Sequence, residues 1–338
     1  MTSLATIDFQ PKEKKVYHTN LNPINNNGLN HQLFGIVDGL MIANFCNRDL
    51  CHNEFSPDYN LSLKIPLRDV IDVDYLNLML KKMGFVSQII PYDRGQTWVE
   101  TKYTNPVYRR EFLQFRGAER FHRMIEALLQ EENHYMYLYT SFVFPIPEAF
   151  GNDIPLTNMA VSISKLLIPS PKMQKLVDAR KELLELGDSY HCIHLRLEDD
   201  WVIHLTEKLE TSIHRGKTRE GFSREIFDSI VKIIREKFND GKKIFVATGL
   251  GKSENVNDYL LEELFKLFPE RIAVVYGKAC IWDEHYPGIG PARELEGFID
   301  FSICQQAESA ILASYSSFSI SLRMSFNYDL KPNFSYAA

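Results

Sequence analysis

Charged side chains end an apolar segment at residues 191–201, HCIHLRLEDDW. If this segment is a strand, His194 and Arg196 lie on one face, and three acids follow them. Burying an arginine is unfavourable unless the arginine meets an anion. That anion is either a carboxylate of the acids at 198–200 or a ligand phosphate bound by the forked guanidinium donors. The spacing leaves both alternatives open.

The next apolar segment ends in VATGLGKSE, a turn suited to phosphate binding. Gly249 and Gly251 would place backbone amides at a strand-to-helix junction, where anions bind. A P-loop would need its first glycine at the position of Val246, so that motif is absent. A tight turn is the simpler interpretation, and the Thr248 hydroxyl is a candidate donor to a ligand.

Two more polar positions lie near the C-terminus, in GFIDFSICQQ and in ASYSSFSIS. Asp300 belongs to an apolar helix or to its start, where it would either cap the helix or contact a nucleoside. Ser316, Ser317 and Phe318 belong to a turn whose hydroxyl groups and amides could form an anion site. A polar loop before a buried strand is the alternative. With the arginine above, these residues indicate a nucleotide diphosphate site in the C-terminal half.

The acids Asp199 and Asp200 could bind a divalent metal ion, but a metal-binding DxD motif is absent there. Arg196 could neutralise a diphosphate in place of a metal. We therefore predict a site without metal and without a resident cofactor.

Strand-like and helix-like segments alternate around these positions. The first half predicts a strand at 15–20, a helix at 29–49, a strand at 84–90, a helix at 111–130 and a strand at 135–144. The second half predicts helices at 173–186, 224–238, 257–268 and 298–314, and strands at 190–197, 242–249, 271–277 and 318–322. This order is typical of an α/β protein with parallel sheets, in which ligands bind beyond the carboxyl ends of the strands.

The length and composition limit the class of protein. At 338 residues the chain predicts two domains, 1–160 and 161–338, joined near 145–165. The net charge of −6 argues against a nucleic-acid surface. The sequence shows no signal peptide and no apolar window of ~20 residues for a membrane span, which predicts a cytoplasmic protein. The five cysteines fit no zinc spacing and are expected to be reduced, buried thiols.

Five segments, in order, resemble those of one family. HLRLEDDW is similar to the HLRFExDM-type segment of the plant-like protein O-fucosyltransferases, a branch of the HxRxxxD fucosyltransferase superfamily. NNNGLNHQLFGIVDGLMIANFCNRDL resembles the family's GGLNxQ segment and its helix, and LKIPLRDVIDVDYLN resembles its FxDIFDVDHF-type segment. IFVATG resembles a later strand with its glycine turn, and GFIDFSICQQAESAILASYSSFSISL resembles the closing segment. The likeness spans residues 16–325.

The resemblance implies a GT-B fold, in which two Rossmann-like domains face each other across a cleft. The domain at 1–160 would be the acceptor side, and the domain at 161–338 would bind the nucleotide sugar. The implied activity is inverting, metal-independent transfer of L-fucose from GDP-fucose to a glycan or protein acceptor. One alternative is a UDP-sugar donor, such as UDP-rhamnose or UDP-xylose. Another is a non-catalytic module that binds a nucleotide sugar.

The resemblance also implies residue roles. Arg196 would hold the pyrophosphate, His194 would shape the same pocket, and Asp300 would contact the nucleoside. Asn30 would lie at the sugar, beside the reacting centre. The other donor-site positions predicted from the residues and the resemblance are Gly28, Asp200, Thr248, Ser316, Ser317 and Phe318.

Sugar transfer builds negative charge on the leaving diphosphate, and a guanidinium with nearby amides would stabilise that charge. An inverting displacement also benefits from a base that takes the acceptor's proton. A class of relatives has a glutamate before the position of Gly28, whereas this chain has Asn27. Asp72 and Asp38 are the candidate bases, and surface or capping duty is the alternative for each.

Overall fold

The computed structural model describes residues 15–19, 28–51, 54–57, 64–91, 117–130, 132, 135–138, 154–208, 212, 214–251, 255–275, 292–314, 316–326 and 333–336. These residues fall into two compact units. The first unit holds the described residues within Met1–Asn27, Phe34–Glu54 and Val73–Ile163. The second holds those within Gly28–Leu33, Phe55–Asp72 and Ser164–Ala338, and so includes two short segments from the first half of the chain. The domain boundary between residues 160 and 161 stays a prediction.

Strands and helices alternate along the described residues. The strands are β1 (Lys15–Thr19), β2 (Arg48–Cys51), β3 (Glu54–Phe55), β4 (Ile65–Pro66), β5 (Ile89–Ile90), β6 (Tyr135–Leu138), β7 (His191–His194), β8 (Ile244–Ala247), β9 (Ile272–Ala273), β10 (Ser309–Ala313) and β11 (Asn333–Tyr336). The helices are α1 (Leu29–Phe45), α2 (Leu67–Val70), α3 (Val73–Lys82), α4 (Gly117–Leu129), α5 (Ile154–Lys165), α6 (Pro171–Leu183), α7 (Asp199–Ile203), α8 (Arg219–Lys237), α9 (Asp258–Leu267), α10 (Arg293–Gln306) and α11 (Ser317–Ser325). A π-helical turn, His204–Lys208, follows α7 directly.

The sheet of the first unit has four parallel strands in the order β5-β2-β1-β6. Every residue of β2 is buried. Residues 32–43 of α1 are also all buried, which is typical of a helix enclosed on every side. The three-to-four spacing of apolar residues predicted a helix at 29–49, which is correct up to Phe45 and wrong at residues 48–49, where β2 begins. The spacing also did not show that the polar positions of the helix are buried.

The sheet of the second unit has five parallel strands in the order β11-β10-β7-β8-β9. All residues of β7, β8 and β10 are buried, as expected for a parallel sheet covered on both faces. On α8 one series of buried side chains recurs every four residues, at Phe222, Ile226, Ile230 and Ile234. This spacing places them on one face of the helix, within the core that also contains β7 and β8.

Two helices of the second unit begin at polar caps that the sequence supplies. The Ser170 hydroxyl accepts a hydrogen bond from the Met173 amide (3.1 Å), and Pro171 occupies the first helical position of α6. The Thr218 hydroxyl accepts from the Gly221 amide (3.2 Å) at the start of α8. These caps satisfy amides that no helical carbonyl can reach.

The predicted helix at 298–314 is wrong in its second half. Helix α10 ends at Gln306, and Ser309–Ala313 forms strand β10. This strand pairs with both β7 and β11, so it lies inside the sheet. A short apolar run fits a buried strand as well as a helix, and periodicity alone does not separate the two.

The predicted last strand at 318–322 is helix α11. The letters FSISL alternate between apolar and polar residues, which is typical of a strand. In the structure, however, Ser319 and Leu322 are both buried, and their spacing of three residues fits one helical face. The last strand is β11, which the pattern missed.

Several other predicted segments are shorter in the structure than expected or are only partly described. Of residues 84–90, only Ile89–Ile90 forms a strand. Of residues 135–144, the described part ends with β6. Helix α5 occupies the second half of 145–165, the segment predicted to join the domains, and residues 145–153 lie outside the described residues.

Among the described residues, Cys46, Cys51, Cys192 and Cys304 form no disulfide and are buried, as predicted. Cys280 lies outside the described residues. In the part of the chain that the structure describes, no helix combines the length and apolar character needed to cross a membrane.

Candidate active site

Arg196 lies two residues beyond the end of β7, at the carboxyl edge of the second sheet. Its Nη1 is 3.1 Å from Glu198 Oε2, and its Nη2 is 2.9 Å from Asp200 Oδ2. Burial disfavours the guanidinium charge, but the two carboxylates outweigh it and raise the pKa of Arg196 above its ordinary value. Of the two alternatives, the structure therefore contains the internal ion pairs. The phosphate role of Arg196 stays a prediction.

His194 is the last residue of β7 and is buried. Its Nδ1 is 2.8 Å from the Ser319 hydroxyl oxygen, which also accepts a hydrogen bond from the Ala313 amide (2.9 Å). The hydroxyl hydrogen is thus available to donate to Nδ1 of a neutral imidazole. Burial, and then the nearby Arg196 charge, lower the pKa of His194 to about 3. The ring is therefore uncharged at neutral pH.

Tyr336 of β11 fixes the backbone between these two residues. Its hydroxyl donates to the His194 carbonyl (2.8 Å) and accepts from the Arg196 amide (3.1 Å). Burial raises the pKa of the Tyr336 hydroxyl, so it stays protonated. Tyr336 was not among the residues predicted from the sequence. The alternation of Phe334 and Tyr336 around a serine was the available signal for a strand.

The predicted anion turn at Ser316–Phe318 is the N-terminus of helix α11. Ser316 is buried and occupies the N-cap position, but its side chain makes no capping hydrogen bond. Helix N-termini present free amides and a partial positive charge, so this geometry suits an anion. The Phe318 ring is 4.5 Å from the His194 ring and 5.7 Å from the Phe301 ring, between centroids. Phe318 thus joins α11 to the end of β7.

The segment after β8 is a tight turn. The Thr248 hydroxyl accepts from the Leu250 amide (3.1 Å), and the Asp258 carboxylate accepts from the Gly251 amide (2.8 Å). Gly251 has φ +71°, a conformation that favours glycine. The Gly249 amide donates to Glu198, so the turn contacts the segment that carries Arg196.

Asp300 lies in the middle of α10, so the capping alternative is wrong. It is buried, and its Oδ1 is 3.7 Å from Nη1 of the buried Arg180 of α6. Nη2 of Arg180 is 2.9 Å from Glu296 Oε2. An internal cation therefore faces Asp300, and its contact with a nucleoside stays a prediction. Arg180 was not predicted from the sequence, because it resembles an ordinary charged helix residue.

Gly28 and Asn30 lie at the start of α1, in the part of the chain assigned to the second unit. The buried Glu294 carboxylate accepts from the Leu29 amide, and a Cβ on Gly28 would lie 3.5 Å from the same carboxylate, an ordinary contact. Among the described residues, the Asn30 side-chain oxygen is buried without a hydrogen-bond partner. Glu294 was not predicted from the sequence, because residues 265 positions apart in the chain make this contact.

The two candidate bases lie in different environments. Asp72 is half-buried and belongs to the second unit, where its amide donates to the Ile168 carbonyl (3.1 Å). Asp38 is buried within α1 and belongs to the first unit. Both assignments stay predictions.

Contacts in the second unit bring several predicted residues together. We call this group the carboxyl-edge cluster, and its members are His194, Arg196, Glu198, Asp200 and Phe318. Glu198 entered the sequence analysis only as a partner for the arginine.

Solved structures match this chain over nearly its whole length. A crystal structure of POFUT1 in complex with GDP-fucose is 14% identical, with a TM-score of 0.58, and the match covers 98% of this chain and 99% of that one. A second crystal form of this complex is 15% identical, with a TM-score of 0.59, over 96% of this chain and 98% of that one. The fucosyltransferase NodZ from Bradyrhizobium is 12% identical, with a TM-score of 0.48, over 92% of each chain.

The likeness to POFUT1 concerns the fold. It confirms the predicted α/β fold class of the GT-B type, and it agrees with the resemblance found in the sequence. No family model matches the sequence, and no curated protein matches it.

Proposed function

We propose that this chain is a glycosyltransferase that moves L-fucose from GDP-fucose to a glycan or protein acceptor, by an inverting and metal-independent route. The observation that carries the proposal is the carboxyl-edge cluster. It lies where parallel sheets bind nucleotides, on a fold shared with POFUT1, whose crystal structure contains GDP-fucose. The donor and the acceptor are the partners of this site.

In the proposed reaction the bond between the anomeric carbon and the diphosphate oxygen breaks. GDP leaves with the electron pair, while an acceptor oxygen bonds to the same carbon from the opposite face. Negative charge grows on the β-phosphate, and Arg196 would stabilise it together with the free amides at the start of α11. A ligand phosphate would then take the place of an exposed carboxylate on the guanidinium.

The neutral His194 ring would contribute to the shape of the donor pocket. Because its pKa lies at about 3, the ring stays neutral at neutral pH and adds no charge next to Arg196. A neutral ring packed on Phe318 and bonded to Ser319 forms a firm wall beside the guanidinium. In the proposal His194 therefore shapes the donor pocket and takes no part in proton transfer.

The acceptor proton and the sugar need their own partners. Asp72 or Asp38 would take the proton as the acceptor oxygen attacks. Asn30 would accept a hydrogen bond from a sugar hydroxyl, because its buried side-chain oxygen has no partner among the described residues. Asp300 would contact the nucleoside.

A ligand panel tests the proposal. Thermal shifts are measured with GDP-, UDP- and dTDP-sugars, each with and without EDTA, and hydrolysis and transfer are followed in parallel. A ligand that binds only the folded protein raises its melting temperature. We expect a shift with GDP-fucose that survives EDTA, together with fucose transfer.

The other outcomes of the panel decide between the alternatives. A shift only with UDP-sugars indicates a UDP-sugar transferase. A shift without transfer to any offered glycan or protein, and without donor hydrolysis, indicates a binding module. The absence of any shift overturns the proposed function.

A further inference from the structure

Glu198 is a buried acid directly beside the arginine that is proposed to meet a diphosphate. Its side chain is 10% exposed, whereas that of Asp200, the other partner of Arg196, is 66% exposed. A buried negative charge next to an anion site weakens anion binding, so the presence of Glu198 here needs another physical explanation.

The two oxygens of Glu198 have different partners. Oε2 is 3.1 Å from Nη1 of Arg196, and Oε1 accepts a hydrogen bond from the Gly249 amide. A Cβ at position 249 would lie only 2.5 Å from Oε1, so the carboxylate occupies the space that any other residue type would fill. Any other residue type at position 249 would therefore push the Glu198 side chain away from this position.

The backbone around Glu198 is also fixed. The Glu198 carbonyl accepts from the Trp201 amide (3.0 Å), and the Asn257 side chain donates to the Leu197 carbonyl (2.9 Å). The Glu198 carboxylate thus links the Arg196 guanidinium to the turn after β8. Hydrogen bonds to the Leu197 and Glu198 carbonyls hold the backbone that carries it. The exposed Asp200 can leave its partner at little cost, because exposed ion pairs contribute little.

We infer that Glu198 is a positioning residue. It holds the guanidinium of Arg196 through Nη1, so that the Nη2 edge receives the donor diphosphate in exchange for Asp200. The inference rests on the proposed function. It adds that one of the two carboxylates stays in place during binding and that the other is displaced.

Steady-state kinetics and GDP binding by calorimetry test the inference on the full chain. Glu198→Gln keeps an oxygen for the Gly249 amide but turns an amide donor towards the guanidinium. We expect kcat to fall at least tenfold, with a smaller change in KM. Gly249→Ala keeps the carboxylate and displaces it, so we expect a fall of similar size.

The double variant tests whether the two changes remove the same contact or cause two independent defects. Because both changes break the same contact, Glu198→Gln with Gly249→Ala should cost no more than the larger single effect. Asp200→Asn should instead tighten GDP binding about threefold or more, because it removes the competing charge. Glu308→Gln, which removes an acid paired with Lys242 at the opposite edge of the sheet, should leave kcat and KM unchanged.

Several results would overturn the inference. One is a folded Glu198→Gln variant that keeps more than half of the wild-type kcat. Another is strict additivity in the double variant. A third is weaker GDP binding in Asp200→Asn. If Glu198→Gln does not fold, Gly249→Ala and Asp200→Asn still decide the question. If the wild-type chain neither binds GDP nor transfers sugar, the proposed function has failed, and the inference fails with it.

Discussion

Strand β7 carries a histidine at each end, and the two have opposite surroundings. At the amino end, Nδ1 of His191 is 2.6 Å from the Ser309 hydroxyl and Nε2 is 3.0 Å from the Asp240 carboxylate. Its ring also stacks on Phe238, with centroids 4.1 Å apart. At the carboxyl end, His194 has a hydroxyl partner and a cation as its neighbour. Both ring nitrogens of His191 have partners within the fold, whereas His194 lies beside the charged Arg196 of the candidate site.

The cations at the two edges extend this comparison. Lys242, at the amino edge, forms ion pairs with Asp240 and Glu308, just as Arg196 forms pairs with two acids. Lys242 and its acids are each about one-third or more exposed, whereas Arg196 and Glu198 are mostly buried. One cation with two acids thus forms a solvated network at the amino edge, whereas at the carboxyl edge it includes a mostly buried Arg196–Glu198 pair beside the exposed Asp200. Burial and position on the sheet, rather than residue type, mark the candidate site.

The largest expected effect is on turnover. Arg196→Ala should lower kcat by ~100- to 1,000-fold, because losing one donor to a developing anion typically raises the barrier by about 2.7–4 kcal/mol. Lys242→Ala, the matched change at the amino edge, should leave kcat unchanged. Fucose transfer from GDP-fucose, measured at saturating donor, checks both variants.

A result against this prediction would remove the functional difference between the two edges. If Arg196→Ala keeps more than a tenth of the wild-type rate, Arg196 does not stabilise the leaving group. If Lys242→Ala loses as much turnover as Arg196→Ala, the effect is structural and not specific to the carboxyl edge.

The amino-acid sequence was sufficient to predict parallel sheets and the position of Arg196 at a carboxyl edge, but not every element: Ser309–Ala313 is a strand and Ser317–Ser325 is a helix. Alternation of elements predicted parallel sheets, and the charged end of β7 located Arg196 at the carboxyl edge. Local pattern could not show the contacts between distant segments. Glu294 reaching the start of α1, and Tyr336 bridging His194 and Arg196, depend on how the strands and helices are assembled.

The segment after β10 shows why local periodicity can fail. Ser319 occupies a polar position in an alternating pattern, which is typical of a strand. In α11 this serine is fully buried, because its hydroxyl bonds both His194 and the Ala313 amide. A buried polar group satisfied by distant partners cannot be distinguished by sequence from an exposed one.

The two edges should lose stability in different pH ranges. His194 has an ordinary pKa of 6.5, which burial and Arg196 lower to about 3 in the folded chain. Below pH 6.5 the unfolded chain therefore binds a proton that the folded chain excludes, and the free energy of unfolding falls as the pH drops towards 3. The slope from this group is at most ~1.4 kcal/mol per pH unit.

At the amino edge the titrating group is an acid. Burial opposes the charge of Asp240, but hydrogen bonds from His191 and Lys242 outweigh it and lower the pKa from 3.8 to about 2. Asp240 therefore stabilises the fold above pH 4, and this contribution is lost as the pH falls towards 2.

Urea unfolding at a series of pH values tests both groups. We expect His194→Gln to flatten the dependence of the free energy of unfolding on pH between pH 6.5 and 4. Asp240→Asn should lower the free energy of unfolding above pH 4 and should flatten its dependence on pH only below pH 4. Equal flattening by both variants would contradict the difference between the edges.

The smallest expected effects come from two buried tyrosines that anchor opposite ends of the same strand. The Tyr190 hydroxyl, just before β7, donates to the Ile303 carbonyl (2.8 Å), and the Tyr336 hydroxyl bonds the backbone just after it. Changing either residue to Phe leaves a buried backbone group unpaired and should lower the free energy of unfolding by about 1–2 kcal/mol.

Only Tyr336→Phe loosens the backbone of Arg196, so only this variant should lower kcat. The expected fall is about threefold, because the guanidinium is still present but is held less firmly. Unfolding curves and initial rates on both variants check this. Equal kcat values would mean that the backbone support from β11 has no part in placing the guanidinium.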